Sequence, residues 1–186
     1  AIMNGEKETG LTTFFLKHEI DTGDLIFSEK ISIGETEDAG SLHDRMMETG
    51  AQLMLRTVDA IRDNTVVQKP QESSADLKTA PKIFKKDCLL DFSLNTFRIY
   101  NKIRGLSPYP TAYTLVGDKS LKVYSASKEI GAHSFKPGTF IPGKQSLKVA
   151  TADGFIHLLE VQPEGKKRMG IVEFMNGYAS WFTNAE

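Results

Sequence analysis

The apolar positions change period twice along the chain. Residues 11–16 and 25–33 are rich in β-branched and aromatic side chains, and the second run alternates apolar and polar positions as a half-buried strand does. Between them lies Lys17-His18-Glu19-Ile20-Asp21-Thr22-Gly23-Asp24, a polar loop with a glycine that tolerates positive φ. Two strands so close in sequence predict a hairpin-like pair that presents this loop at one end of a sheet. From residue 41 to 62 the period lengthens. Leu42, Met46, Leu53, Met54, Val58 and Ile61 recur near every 3.6 residues, which predicts a helix capped by Asp38 or Ser41. Gly50 inside that helix costs about 1 kcal/mol against Ala, so a close packing contact is expected there.

Residues 64–80 lose this periodicity and carry Pro70, Ser73 and Ser74, the texture of a linker. A short helix follows over 94–103, ended by Gly105 and Pro108. Then come short strands around turn signals: 112–116 and 121–127 flank Gly117-Asp118, and 147–151 and 155–161 flank Asp153-Gly154. About five short strands in about 60 residues predict a small closed barrel of the OB type, closed by a helical turn over 171–176. The chain therefore divides into an α/β part at 1–69, a linker at 70–80 and a β part at 81–186.

Charge sharpens that division. The net charge is −1, yet residues 1–80 hold 8 basic and 15 acidic side chains, whereas 81–186 hold 15 basic and 9 acidic. The halves thus balance at −7 and +6, and the second is the one that attracts polyanions. The rest of the composition is that of an ordinary soluble protein, with 40% hydrophobic and 25% charged residues. Cys88 is the only cysteine, which excludes a disulfide framework. No apolar run approaches the roughly 18 residues that cross a bilayer, and no signal-peptide pattern opens the chain, so a cytoplasmic location is expected. The opening Ala1-Ile2-Met3 runs straight into strand-like sequence and reads as the middle of a domain.

Asp21 and Asp24 sit three residues apart in a loop at strand ends, where α/β sheets place their sites. Such a pair can orient an imidazole, move a proton or hold a metal; equally, either aspartate can simply close an Asx turn. His18 lies on the opposite face of an extended segment from Asp21. His43, His133 and His157 have no acidic or cysteine partner at metal spacing, and no phosphate-loop, dinucleotide or nucleophile-elbow motif is present. The basic residues matter as groups: Lys82, Lys85 and Lys86 after the linker, Arg98, Lys102 and Arg104 along the short helix, and Lys166, Lys167 and Arg168 in a loop. Each group alone is ordinary solvated surface. Three groups in one acid-poor half, interleaved with Tyr100, Tyr109 and Tyr113, suit nucleic acid.

The stretches Ala1-Ile2-Met3-Asn4-Gly5, Glu8-Thr9-Gly10-Leu11-Thr12-Thr13, Ile20-Asp21-Thr22-Gly23-Asp24-Leu25, Ser41-Leu42-His43-Asp44-Arg45, Ile103-Arg104-Gly105-Leu106-Ser107-Pro108-Tyr109-Pro110, and the closing Gly165-Lys166-Lys167 with Glu173-Phe174-Met175-Asn176-Gly177 stand in this order along the chain. Together they resemble the methionyl-tRNA formyltransferase family. The Glu-Thr-Gly and Asp-Thr-Gly-Asp pieces are shared with other 10-formyltetrahydrofolate enzymes, and the Ile-Arg-Gly-Leu-Ser-Pro stretch narrows the resemblance to the tRNA enzyme. It implies the later part of a Rossmann-like formyltransferase domain, a linker and an OB-like barrel. It also implies transfer of a formyl group from 10-formyltetrahydrofolate to methionyl initiator tRNA, by an enzyme that is a monomer when complete.

Of the family's catalytic Asn, His and Asp, only the Asp has a counterpart, at Asp21; the Asn-x-His and Ser-Leu-Leu-Pro stretches would precede Ala1, so the chain alone is expected to be inactive. Lys17, Glu19, Ile20 and Asp21 would line the folate pocket, and Lys82, Lys85, Lys86, Arg104, Lys166, Lys167 and Arg168 would meet the tRNA. No metal is implied. Tyr109 stands where the family usually has Trp, and Thr111 where a Gly is common. The alternatives are an OB-type RNA-binding module without catalysis, or a related folate-dependent formyltransferase acting on a small substrate.

Overall fold

The computed structural model describes residues 1–71 and 78–182, so most of the 70–80 linker lies outside the described residues. The chain forms two compact units that do not simply follow one another along the sequence. One gathers Lys7–Glu35 with Ser41–Lys82; the other gathers Ala1–Glu6, Thr36–Gly40 and everything from Ile83 onward.

In the first unit, β1 (Glu8–Phe14) and β2 (Leu25–Ser32) pair antiparallel, with Glu8 opposite Ser32 and Thr13 opposite Phe27. The register slips between Thr13 and Phe14, so that Phe14 faces Leu25. A slip of this kind bends a strand at its end, and here it leads into the polar loop. The predicted helix is present as α1 (Ala39–Arg62), beginning directly after Asp38. Its Leu53 and Thr57 are buried, and the Thr57 hydroxyl lies 2.9 Å from that of Thr13 on β1. The Arg56 guanidinium sits 4.2 Å from the ring centre of Phe27 on β2.

The rest of the α1 stripe departs from expectation. Met54, Val58 and Ile61 are 54%, 55% and 43% exposed, because a two-stranded hairpin is too narrow to cover a face of this length. Gly50 marks no tight contact either: a Cβ there would meet Leu11 Cδ1 at 3.5 Å, an ordinary van der Waals distance. After the helix, Lys69 exchanges backbone hydrogen bonds with Leu25 at 2.7 and 3.0 Å. The last residue before the expected linker is thus laid against the hairpin.

In the second unit, α2 (Thr96–Leu106) precedes, among the described residues, six strands: β3 (Ala112–Val116), β4 (Lys119–Ile130), β5 (Phe140–Pro142), β6 (Leu147–Ala150), β7 (Gly154–Pro163) and β8 (Met169–Gly170). All pair antiparallel, in the order β3-β4-β7-β6-β5, with β8 beside β7. Alternation along the long central strands sends Leu121, Val123, Ile156, Leu158 and Val161 into one core with Ile99 and Ile103 of α2, all at 0–1% exposure. Two register shifts around Ser125 bend β4 where it crosses that core. The sheet curls around its core, but the ladder runs from β3 to β5 with two ends. A closed barrel is not what these pairings describe. The chain closes with α3 (Ile171–Tyr178), whose Phe174 is fully buried and stacks on Tyr178 at 5.1 Å and edge-on against Trp181 at 5.7 Å.

Candidate functional site

The polar loop between β1 and β2 is held from three directions. Phe15 N–H donates to the Asp24 carbonyl at 3.0 Å, and the Thr22 hydroxyl donates to the Glu19 carbonyl at 3.1 Å. The Gln71 side-chain amide, some fifty residues away in sequence, donates to the Asp21 carbonyl at 2.8 Å and the Gly23 carbonyl at 2.7 Å. Gly23 is obligatory for this geometry: a Cβ there would fall 1.4 Å from the Phe15 carbonyl oxygen. Asp21 takes the left-handed conformation, φ 57°, one that aspartate tolerates better than most residues.

The two carboxylates of the loop have different fates. Asp24 accepts a 2.9 Å ion pair from Lys17, so Lys17 braces the loop from outside. The Asp21 carboxylate has no hydrogen-bond or ion-pair partner among the described residues, and Asp21 lines a cavity of about 550 Å³ together with Phe14, Leu25, Lys69 and Pro70. Glu19 and Asp21 are exposed, and Ile20 is 88% exposed. His18 is likewise exposed and is not brought onto Asp21. Among the described residues no cluster of His, Cys, Asp and Glu could hold a metal. The sequence locates Asp21 but gives no sign of Gln71, whose role depends on a contact with no local signal.

The basic residues of the second unit separate into two kinds. Lys85 and Lys86 are exposed on a 3₁₀ turn, Lys85–Cys88, and Lys166 and Lys167 are exposed after β7; Lys82, in the first unit, is also exposed. Lys85, Lys86, Lys166 and Lys167 remain available to an anion. Arg104 does not share that placement. It is 8% exposed, and its guanidinium donates to Asn101 Oδ1 at 2.8 Å and the Glu37 carbonyl at 2.9 Å. Arg168 donates to the Glu160 carboxylate, which raises its pKa above the ordinary guanidinium value against the opposing effect of burial, and it lies 4.4 Å from the Tyr124 ring centre. Both arginines line one cavity of about 270 Å³, with Asp38 and Glu160 supplying opposite charge. Arg104 is thus buried and engaged within the protein, whereas Arg168 is exposed at the surface and paired with Glu160.

Two family models match the chain, formyl transferase over residues 1–58 and formyl transferase, C-terminal domain, over 82–179. The chain is 44% identical over 181 residues to the methionyl-tRNA formyltransferase of Flavobacterium johnsoniae, covering 95% of this chain and 58% of that protein. It is 44% identical over 188 residues to the protein of the same name from Phocaeicola vulgatus, with coverage of 96% and 58%. The chain thus spans a little under three fifths of these curated relatives. Among solved structures, HypX from Aquifex aeolicus in complex with tetrahydrofolic acid matches 98% of this chain and 32% of its own with a TM-score of 0.71. At 17% identity that likeness speaks for the fold.

Proposed function

Since the chain belongs to the formyl transferase family, with parts of both its catalytic and its C-terminal domain, we propose that it serves transfer of a formyl group from 10-formyltetrahydrofolate to the amino group of methionyl initiator tRNA. The naming of the 44%-identical relatives supports the tRNA substrate, and the tetrahydrofolic acid bound by HypX supports a folate donor. The observation that carries the reading is Asp21: a carboxylate without an internal partner among the described residues, on a clamped loop, at the rim of a cavity. In formyl transfer a weakly nucleophilic amine attacks a formyl carbon, the oxyanion needs a donor, and the folate nitrogen needs a proton to leave. A carboxylate beside a proton-carrying group keeps that group charged and oriented. Asp21 has the freedom for this role, whereas Asp24 is engaged by Lys17.

In this reading the Glu19–Asp21 segment lines the folate pocket, and Lys17 contributes by holding the segment in place. Lys85, Lys86, Lys166 and Lys167 grip the tRNA on an OB-like module of the curled sheet, with Lys82 just before it in sequence, and the +6 balance of residues 81–186 suits a polyanion better than a small substrate. Arg104, which the sequence groups with them, is buried and acts within the protein instead, while Arg168 stands exposed beside Lys166 and Lys167 and is paired with Glu160. The enzyme works in the cytoplasm, and no helix among the described residues is long and apolar enough to cross a membrane.

The test uses an enzyme of the relatives' full length. Asp21→Asn should slow single-turnover formylation by at least about a hundredfold and leave tRNA affinity unchanged. Replacing Lys166 and Lys167 with Ala should flatten the log–log salt dependence of tRNA binding by about 0.7–0.9 for each phosphate that no longer meets a lysine, with a nearly normal rate at saturating tRNA. If Asp21→Asn weakened tRNA binding tenfold while the double variant left it intact, the roles would be wrongly assigned.

A further inference from the structure

A groove of about 500 Å³ opens on the second unit, between the segment carrying the Lys85–Cys88 turn and the strands β3, β4 and β7. Its composition is unusual for a surface hollow. Tyr109 is 86% exposed and Ile83 is 42% exposed, so an aromatic face and an apolar side chain stand open to water. Lys85 lines one wall and Lys122, from β4, another. Gly165, next to Lys166 and Lys167, lines the groove as well. Two basic segments far apart in sequence, around 85 and around 166, therefore border the same hollow, and Lys122 adds a third cation that the sequence groups do not include. The acidic group in the lining is Glu164.

An exposed tyrosine with lysines to either side matches the way single-stranded nucleic acid is held: bases stack on aromatic faces while cations follow the backbone. The groove's volume is within the range of pockets that enclose a small organic group, about 300–1,000 Å³, and so admits one nucleotide rather than a duplex. We propose that this groove receives an unstacked nucleotide of the RNA substrate, with the base laid on Tyr109 and the flanking phosphates met by Lys85 and Lys122. The inference rests on the tRNA reading above and goes beyond it, because phosphate contacts alone would require only a basic surface and no open aromatic ring. Single-stranded or splayed RNA is the occupant that uses both.

The experiment is fluorescence anisotropy with this 186-residue chain, a labelled single-stranded RNA hexamer, and a duplex of equal length, each across a salt titration. The hexamer should bind more tightly than the duplex. Tyr109→Ala should weaken the hexamer about tenfold, within the range for losing one base–aromatic stack, and leave the salt slope unchanged. Tyr109→Phe should restore the affinity. Lys122→Ala should lower the slope by about 0.7, the single-strand increment for one phosphate contact. Tyr109 is too exposed for its loss to unfold the chain, so unchanged binding has one meaning. If Tyr109→Ala leaves hexamer affinity intact while full methionyl-tRNA still binds in a salt-dependent way, the groove assignment falls and the functional reading stands. If no RNA of either form binds, both fall.

Discussion

The Nη1 of Arg104 donates a 2.9 Å hydrogen bond to the carbonyl oxygen of Glu37, joining residues that are 67 positions apart in sequence. Three residues further along each segment, Gly40 N–H donates to the Ser107 carbonyl at 3.0 Å. Both ends of the Arg104–Ser107 segment thus hold the short Thr36–Gly40 stretch within the second unit, and the positive charge of Arg104 is directed inward to do so.

Arg104→Ala should therefore act on stability. It leaves the Glu37 carbonyl without this donor and removes a buried side chain, a change worth about 2 kcal/mol, visible as a lower urea midpoint. The salt slope of RNA binding should not change. A flattened slope with unaltered stability would return Arg104 to the RNA surface.

Gly23→Ala should open the loop that carries Asp21. The new Cβ would lie 1.4 Å from a backbone oxygen, and backbone on both sides of the clash has no flexible end to yield. Hydrogen exchange should show weakened protection at Phe15 N–H, whose acceptor is the Asp24 carbonyl, while amides of the curled sheet keep theirs. Formylation by the full-length enzyme should fall with the loop. Intact protection at Phe15 would mean that the loop has another way to close.

Gly50→Ala should go the other way. The space at Gly50 accepts a methyl group against Leu11 at ordinary distance, and replacing a mid-helix glycine recovers up to about 1 kcal/mol. The urea midpoint should rise with an unchanged m-value. A lower midpoint would show that the expected close packing at Gly50 is real after all.

What the sequence discloses follows from how local each signal is. Period and turn residues locate the hairpin, the α-helices and the four longer strands of the sheet within a few positions. Phe140–Pro142 and Met169–Gly170 escape because strands of two or three residues carry no period. The α1 stripe is apolar as its pattern states, but a pattern says what a face could bury, and of that stripe Leu42 and Leu53 are buried while Met54, Val58 and Ile61 stay exposed. Arg104 looks like RNA surface in the sequence because helical spacing from Arg98 places residues around an axis and says nothing about depth. Asp21 is legible through a short family motif. The amide of Gln71 that fixes its backbone is invisible there, since nothing near residue 71 announces a loop near residue 21.

Asp153 shows the same limit and yields the last prediction. The Asp153-Gly154 pair does turn the chain from β6 into β7, as its sequence implies, but its carboxylate also serves another element. Asp153 Oδ1 accepts 2.7 Å hydrogen bonds from the backbone N–H and the hydroxyl of Thr96, at the first turn of α2. That N–H has no partner within the helix, and a carboxylate there also meets the positive end of the helix dipole. The Thr96 backbone bond, then the hydroxyl bond, hold the Asp153 pKa below the usual aspartate value. A group with a depressed folded pKa contributes stability above its unfolded pKa, about 3.9, and loses it as pH falls through the folded value. Asp153→Ala should thus cost about 1 kcal/mol at pH 7, the usual loss on removing a helix cap. The gap between variant and parent should begin to narrow below about pH 4, as the unfolded parent takes up its proton, and should go on narrowing as pH falls towards the folded pKa. Urea midpoints of both proteins from pH 7 to pH 3 measure this directly, and a gap that stays constant over that range would show that the Asp153 charge contributes nothing to the cap.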